Sequence, residues 1–203
     1  MKFAIIVLFF MFSNIAQGMV EISGNFGYNK TVFGAQRENY ITNRTWSGTL
    51  ALYLWNMTAI ELNYSDSEEI STENTDRDID EIGAIRLGYQ QRVRTKVYGI
   101  GLRQAFANRK SRIIPLISMG YAKQFSEDDG EATYKLDSDN STQTVFFDKM
   151  KKRQESVFAA FLLKIRITGG LSIQGSIKTI FPAFEYNEAK NNLKYLVGIS
   201  WMF

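Results

Sequence analysis

The side chains available for chemistry in this chain are carboxylates, amines, guanidinium groups and hydroxyls, because its 203 residues include neither cysteine nor histidine. Disulfides, thiolate nucleophiles, Ser–His hydrolysis and imidazole metal ligands are therefore excluded. No carboxylate pair stands beside a nucleophile in the pattern of a hydrolase, so we expect no catalytic residue and no cofactor. A hydrolase that uses only aspartate and glutamate is the enzymatic alternative. The formal net charge of +3 comes from scattered basic residues, a pattern that argues against nucleic-acid binding.

Four charged residues lie in segments whose other face is apolar. Glu61, Arg103, Lys164 and Arg166 alternate with aliphatic neighbours, which places them on the opposite face of a β-strand. Charges turned away from the apolar face lie in an interior and need partners. We therefore predict an ion-pair network of these four residues, with Glu61 and Arg103 pairing directly from consecutive strands. A gate, or a path for protons or ions, is the alternative interpretation.

Residues 1–18 have the pattern of a secretory signal peptide. Lys2 gives a positive start, Ala4–Phe12 is a run of nine apolar residues, and the small Ala16 and Gly18 follow at the −3 and −1 positions. We predict cleavage after Gly18. Nine apolar residues are too few to cross about 30 Å of hydrocarbon as a helix, so an anchor is disfavoured.

Period-two alternation continues from residue 20 to the end of the chain. Strands of about ten residues, apolar on one face and polar on the other, are typical of a transmembrane β-barrel. Eight segments follow this pattern: 20–28, 44–55, 58–65, 97–106, 113–124, 157–167, 171–178 and 195–203.

The connections between these segments favour a membrane barrel over a water-soluble one. Short turns alternate with longer loops, and aromatic residues gather near the strand ends, as interfacial girdles require. The predicted short turns are 56–57, 107–112 and 168–170, and the predicted loops are 29–43, 66–96, 126–154 and 182–191.

The last strand carries a family resemblance. The sequence Y-L-V-G-I-S-W-M-F at 195–203 resembles the closing strand of Gram-negative outer-membrane barrels, which ends in phenylalanine. The segments 98–106 and 113–124 resemble a descending and an ascending strand of the small OmpA/OmpX-type barrels. The resemblance implies an all-β, antiparallel up-and-down barrel over residues 19–203, in the bacterial outer membrane. It also implies that the barrel-assembly machinery recognises Phe203.

The strand count is even if both ends of the mature chain lie in the periplasm. We predict eight strands, with residues 79–96 extending the second outer loop as a β-ribbon above the membrane. The segment 79–89 also has the features of a ninth strand, and this would require a tenth within 131–149. Ten strands are the alternative.

Two predicted outer loops are strongly charged. Residues 66–81 contain eight acidic side chains against Arg77 alone, which makes divalent cations a possible partner. The segment 76–81, D-x-D-x-D-E, lacks the glycine and the distal glutamate of a calcium loop, so we predict no metal site. The third loop ends in basic residues that we expect to bind lipopolysaccharide phosphates: Lys149, Lys151, Lys152 and Arg153.

Together these patterns predict a non-enzymatic, monomeric outer-membrane barrel with a plugged polar lumen and protruding charged loops. Its expected role is in envelope structure, adhesion or defence. A narrow channel for ions or small solutes is the alternative, since eight strands enclose a lumen that side chains can just fill.

Overall fold

A computed structural model gives the architecture of the chain. It describes residues 19–35, 37–79, 84–108, 110–136, 141–183, 187 and 192–203. Residues 1–18, and with them the predicted signal peptide, lie outside the described residues. No helix in the described part of the chain has the length and hydropathy needed to span a membrane.

Antiparallel strands make up almost all of the described structure. In chain order they are β1 (Val20–Phe33), β2 (Asn39–Tyr53), β3 (Thr58–Glu73), β4 (Arg77–Ile79), β5 (Ala84–Ala105), β6 (Ile113–Leu136), β7 (Thr142–Thr168), β8 (Leu171–Pro182) and β9 (Lys194–Met202). Strands that follow one another in the chain pair, with the exception of β3 and β4; β3 pairs with β5 instead, and β1 also pairs with β9. Within the described residues, the short β4 pairs with the first residues of β5 alone.

The pairings close the sheet into an eight-stranded ring. The first strand meets the last through Glu21–Phe26 opposite Met202–Val197, and the backbone N–H of Phe203 donates to the Val20 carbonyl at 2.9 Å. The predicted count of eight is therefore confirmed, and the ten-stranded alternative is wrong. The sequence predicted a separate β-ribbon at 79–96, but residues 84–96 are the upper part of the ring strand β5, bonded to β3 or β4 on one side and to β6 on the other.

The alternation of side chains sorts the barrel into two faces, as predicted. Ile173, Val197 and Ile199 on the outer surface are 50%, 66% and 61% exposed. Their chain neighbours Ser172 and Ser200 point into the barrel and are buried. Aromatic side chains border the outer apolar belt at both ends. At the end with the short turns they are Trp55, Phe106, Trp201 and Phe203, and at the opposite end Tyr28, Trp46, Tyr64, Tyr98 and Tyr121.

The wall of the barrel is much taller on one side than on the other. β7 has 27 residues and β6 has 24, whereas β8 has 12 and β9 only 9. The predicted loops 29–43, 66–96 and 126–154 are therefore mostly strand. The sequence suggested loops there because both faces of a strand outside the membrane meet water, so the hydrophobic alternation disappears while the hydrogen bonding continues. We call the part of β1 to β7 that extends beyond the aromatic border the protruding sheet.

Large and small side chains fit together inside the barrel. Phe158 is 1% exposed and lies against the glycines of β5, since a Cβ on Gly101 would come within 2.7 Å of its Cζ and one on Gly99 within 3.0 Å of its Cε1. Val97, Ala122 and Ile180 complete the layer around this ring. Glycine at 99 and 101 thus creates the space that the phenylalanine fills.

The outer belt gives the first testable prediction. Val197→Arg should lower the free energy of unfolding by roughly 2–4 kcal/mol, because it places a charge against hydrocarbon near the middle of the belt. Ser200→Ala, on the inner face of the same strand, should cost less. Urea titration of the barrel folded into lipid vesicles measures both values, and equal sensitivity of the two positions would contradict the assignment of faces.

Candidate functional site

The lumen contains a cluster of four buried charged side chains, Glu21, Glu61, Arg103 and Lys164, which we call the lumen charge cluster. Their exposed fractions are only 1–2%. Each comes from a different strand, namely β1, β3, β5 and β7, and each stands at an inward position of its strand. The cluster therefore exists only when the ring is closed.

Arg103 connects the two acids. Its Nε donates to Glu61 Oε2 at 2.7 Å, and its Nη1 donates to Glu21 Oε1 at 2.9 Å. Glu61 and Arg103 are diagonal neighbours on paired strands, because Glu61 stands opposite Gly101 and Arg103 opposite Ala59. This is the direct contact between consecutive strands of the ring that the sequence predicted for these two residues.

Glu21 is the centre of the cluster. Besides Arg103, its carboxylate accepts hydrogen bonds from Lys164 Nζ and, at 3.0 Å, from Tyr53 Oη. On the other side Ser118 Oγ donates to Glu61 Oε2 at 2.7 Å. Two carboxylates and two cations thus form a group without net charge, in which both acids have neutral donors as well as cations. This arrangement meets the requirement for burying charge at low dielectric.

Side chains fill the lumen on both sides of this cluster. Towards the short turns, Ala105, Ile114, Leu116 and Leu162 form a buried apolar layer. Towards the protruding sheet lies the Phe158 layer, and Lys178 Nζ lies 5.6 Å from the centre of that ring and donates to Asn63 Oδ1 at 2.5 Å. Apolar side chains, ion pairs and hydrogen-bonded polar side chains therefore fill successive layers along the lumen.

The sequence predicted only part of this geometry. The structure brings Glu61, Arg103 and Lys164 together, but Arg166 is only half-buried, near the end of β7, where its backbone N–H donates to the backbone carbonyl of Arg112. Arg166 is close to the turn at 169–170 that connects β7 to β8, and water reaches it there. The alternation of Glu21 with Val20 and Ile22 indicates an inward-facing side chain, but its central position depends on the contact between the first and last strands.

The charged segments of the predicted loops lie on the protruding sheet. Arg94 donates to both carboxylate oxygens of Asp66, at 3.2 and 2.7 Å, just beyond the aromatic border, and this bond holds the pKa of the Asp66 carboxyl below its usual value. Lys151 and Glu127 form an exposed pair at 3.6 Å. Asp80 and Glu81 of the predicted acidic loop lie outside the described residues. Among the residues that the structure describes, no group of three or more acidic side chains could hold a metal ion.

A solved structure shares this architecture. The N-terminal β-barrel domain of OprF from Pseudomonas aeruginosa superposes with a TM-score of 0.52 and 16% identity, over 92% of this chain and all of that one. The chain has the fold of the small outer-membrane β-barrels. This is the resemblance that the closing strand indicated, and the fold class predicted from the sequence is confirmed.

Other comparisons give weaker matches. Acinetobacter baumannii CarO matches this barrel with a TM-score of 0.44 and 10% identity, over 89% of this chain and 97% of that one. Yersinia pestis Ail, described as an attachment invasion locus protein, matches with a TM-score of 0.38 and 11% identity, over 92% and 99%. No protein-family model and no curated protein sequence matches this chain.

The lumen charge cluster gives the second prediction. Glu61→Gln should lower the free energy of unfolding by about 3–5 kcal/mol, because it leaves Arg103 with a single carboxylate partner in a low-dielectric interior. Adding Arg103→Met should recover part of this loss, since Glu21 still pairs with Lys164. Glu68→Gln on the protruding sheet, which removes the solvent-accessible pairs with Arg44 and Arg92, is the matched control and should cost less than about 1 kcal/mol. Equal losses for Glu61→Gln and Glu68→Gln in urea titrations would contradict the role of the cluster.

Proposed function

We propose that this protein is a non-enzymatic barrel of the bacterial outer membrane with a sealed lumen, and that its protruding sheet acts at the cell surface in envelope structure, adhesion or defence. The height of that sheet carries the proposal. A tilted strand of about ten residues crosses the apolar belt, but β7 has 27 residues. More than half of this strand is therefore available for a function outside the membrane.

The packing of the lumen supports a sealed barrel. The lumen charge cluster lies between two apolar layers, so an ion moving along the axis would have to displace paired charges and the ring of Phe158. Breaking buried ion pairs costs several kcal/mol. A structural role of the cluster is therefore favoured over conduction.

The outer wall suggests the lipid partner. Lys96 and Arg153 both stand opposite Phe125, and Lys123 stands opposite Tyr98, so three cations lie on the outward face at the aromatic border. Arg153 also stacks over the Phe125 ring at 5.6 Å. Lipid phosphates lie at this level, and cations on a barrel wall attract them. We propose lipopolysaccharide phosphates as their partners, so the site includes Arg153 of the predicted basic run and residues of two neighbouring strands.

The biogenesis proposal rests on the last strand. Met202 is paired with Glu21, and Phe203 bonds to Val20 through its backbone while its ring stays 69% exposed. A residue exposed to this extent is accessible to an assembly factor. We propose that the barrel-assembly machinery recognises Phe203 and that the barrel is a monomer.

A narrow channel is the second candidate. A cavity of about 450 Å³ lies inside the wall next to the protruding sheet, and its mixed lining includes the polar Asn43, Ser67, Glu69 and Lys194. Lys194 Nζ donates to Ser67 Oγ at 2.6 Å. The buried Lys178 stands directly opposite Lys194 on the hairpin of β8 and β9. This cavity would be the vestibule of a channel if the layers beneath it opened.

Planar-bilayer recordings distinguish the two candidates. The purified barrel should show conductance at background level, and so should Glu61→Gln and the double variant Glu61→Gln with Arg103→Met, because the apolar layers remain in place. A gate would behave differently: the single variant would give new or larger current steps with little loss of stability. That result would favour the channel.

Shortening the protruding sheet tests the surface role. Residues 129–149 are replaced by Asn-Gly, a two-residue hairpin turn, between the opposed Asp128 and Met150. The shortened barrel should reach the surface in normal amounts and keep its heat-modifiable gel mobility, because the belt is unchanged. Bacteria carrying it should lose adherence to cultured cells or survival in complement-containing serum. If adherence, serum survival and resistance to detergent all match those of wild-type bacteria at equal surface levels, the proposed role is wrong.

A further inference from the structure

Two lysines reach into the lumen on the side of the protruding sheet. Lys178 of β8 is 5% exposed and stands directly opposite Lys194 of β9, which is half-buried. Lys178 Nζ donates to Asn63 Oδ1 at 2.5 Å, and Lys194 Nζ donates to Ser67 Oγ at 2.6 Å. Within the described residues, neither lysine forms an ion pair with a carboxylate. Both amines therefore bond to neutral acceptors.

These lysines leave an excess of positive charge in this layer of the lumen. The lumen charge cluster contains two carboxylates and two cations, so it cannot offset a further cation. Glu69 is the single acidic residue in the described lining of the neighbouring cavity, but it is exposed and its Oε2 accepts a hydrogen bond from Asn43 Nδ2 at 3.0 Å. A buried ammonium group without an anionic partner is unfavourable at low dielectric. An anionic ligand would supply the charge that this layer lacks.

The cavity of about 450 Å³ gives such a ligand room. Lys194 and Ser67 both line it, and its volume is in the range of small-molecule sites. On the other side of Lys178, the ring of Phe158 lies 5.6 Å from its Nζ and belongs to the apolar layer that fills the lumen. A ligand therefore enters from the side of the protruding sheet and stops at the two lysines.

The acceptors on β3 indicate the shape of the ligand. Asn63, Ser65 and Ser67 follow one another on the inward face of this strand, and the lysines bond to the first and the last of them. The Cα atoms of residues four apart on a strand are separated by roughly 13 Å, so the amines are directed to separate points. Between these points Ser65 is 0% exposed, and its Oγ forms no hydrogen bond in the described structure. A short molecule with two acidic groups can pair with both lysines and accept a hydrogen bond from Ser65.

We propose that this cavity binds a short organic dicarboxylate, with one carboxylate paired to Lys178, the other paired to Lys194, and the Ser65 hydroxyl donating to the ligand between them. This inference goes beyond the proposed surface role. It also requires no conduction, because occupancy of the cavity and flow of ions are measured separately.

The test uses the whole barrel in lipid nanodiscs and succinate as the probe. Isothermal titration calorimetry measures binding, and amide chemical shifts in NMR spectra locate it. We expect saturable binding of one succinate per barrel, with the largest shift changes around Ser65, Ser67, Lys178 and Lys194. Lys178→Met and Lys194→Gln should each weaken binding about tenfold, because each removes one of the two ion pairs. Lys194→Gln changes a half-buried residue and keeps the test valid if Lys178→Met impairs folding.

The matched control is Lys110→Gln in the short turn before β6. It makes the same change of net charge at the opposite end of the barrel and should bind succinate as the wild type does. Four results would overturn the proposal: no saturable binding of succinate, equal binding of its uncharged diamide, tighter binding of acetate or inorganic phosphate, and equal weakening by Lys110→Gln and Lys194→Gln. Tighter binding of the compact anions would mean that the lysines act at one point and do not recognise two separated carboxylates.

Discussion

The hydrogen-bonding requirement of the backbone in hydrocarbon governs this structure, because a strand that faces lipid has no water to satisfy its N–H and C=O groups. The ring therefore closes through the belt, where Glu21–Phe26 meets β9 and Phe203 bonds to Val20. Beyond the aromatic border water can satisfy an open edge, so closure is no longer required. There β8 ends at Pro182, β9 has not yet begun, and the remaining strands continue as a curved open sheet.

Closure with eight strands also decides what the lumen can hold. The interior is narrow, so side chains from opposite walls touch. Each layer of the lumen must therefore be filled by side chains whose volumes and charges are complementary. Lys164 reaches Glu21 across this space, and Phe158 of β7 fills the room left by Gly99 and Gly101 of β5. Burying the charges of the cluster is tolerable because their pairs form together, from strands that only the closed ring brings into contact. The stability of the barrel and the filling of its lumen then have the same physical origin.

The two halves of the long strands meet different physical requirements. Within the belt, the outer face must be apolar and the inner face must satisfy its polar groups. Outside the belt, both faces meet water, and exposed charge keeps the sheet soluble, as the Arg94–Asp66 and Arg92–Glu68 pairs illustrate. The same β7 therefore has Ile165 against lipid at one end and Lys151 in solvent at the other. Such a sheet, held above the membrane by the barrel, suits the surface role that we propose.

The sequence by itself determined which way the side chains of the membrane strands face, the even strand count and the closing strand, because period-two alternation is local and the lipid imposes it on every strand. Val197 faces outward and Glu61 inward for this reason. Only the tertiary structure decided that Glu21 is the centre of the lumen charge cluster, that Arg166 is not buried with it, that residues 84–96 continue the ring strand β5, and that residues 142–155 are strand and not loop. The first two depend on which walls the closed ring brings together. The last two were hidden because hydrogen bonding along a solvated strand leaves no hydrophobic pattern that continues from the membrane segment.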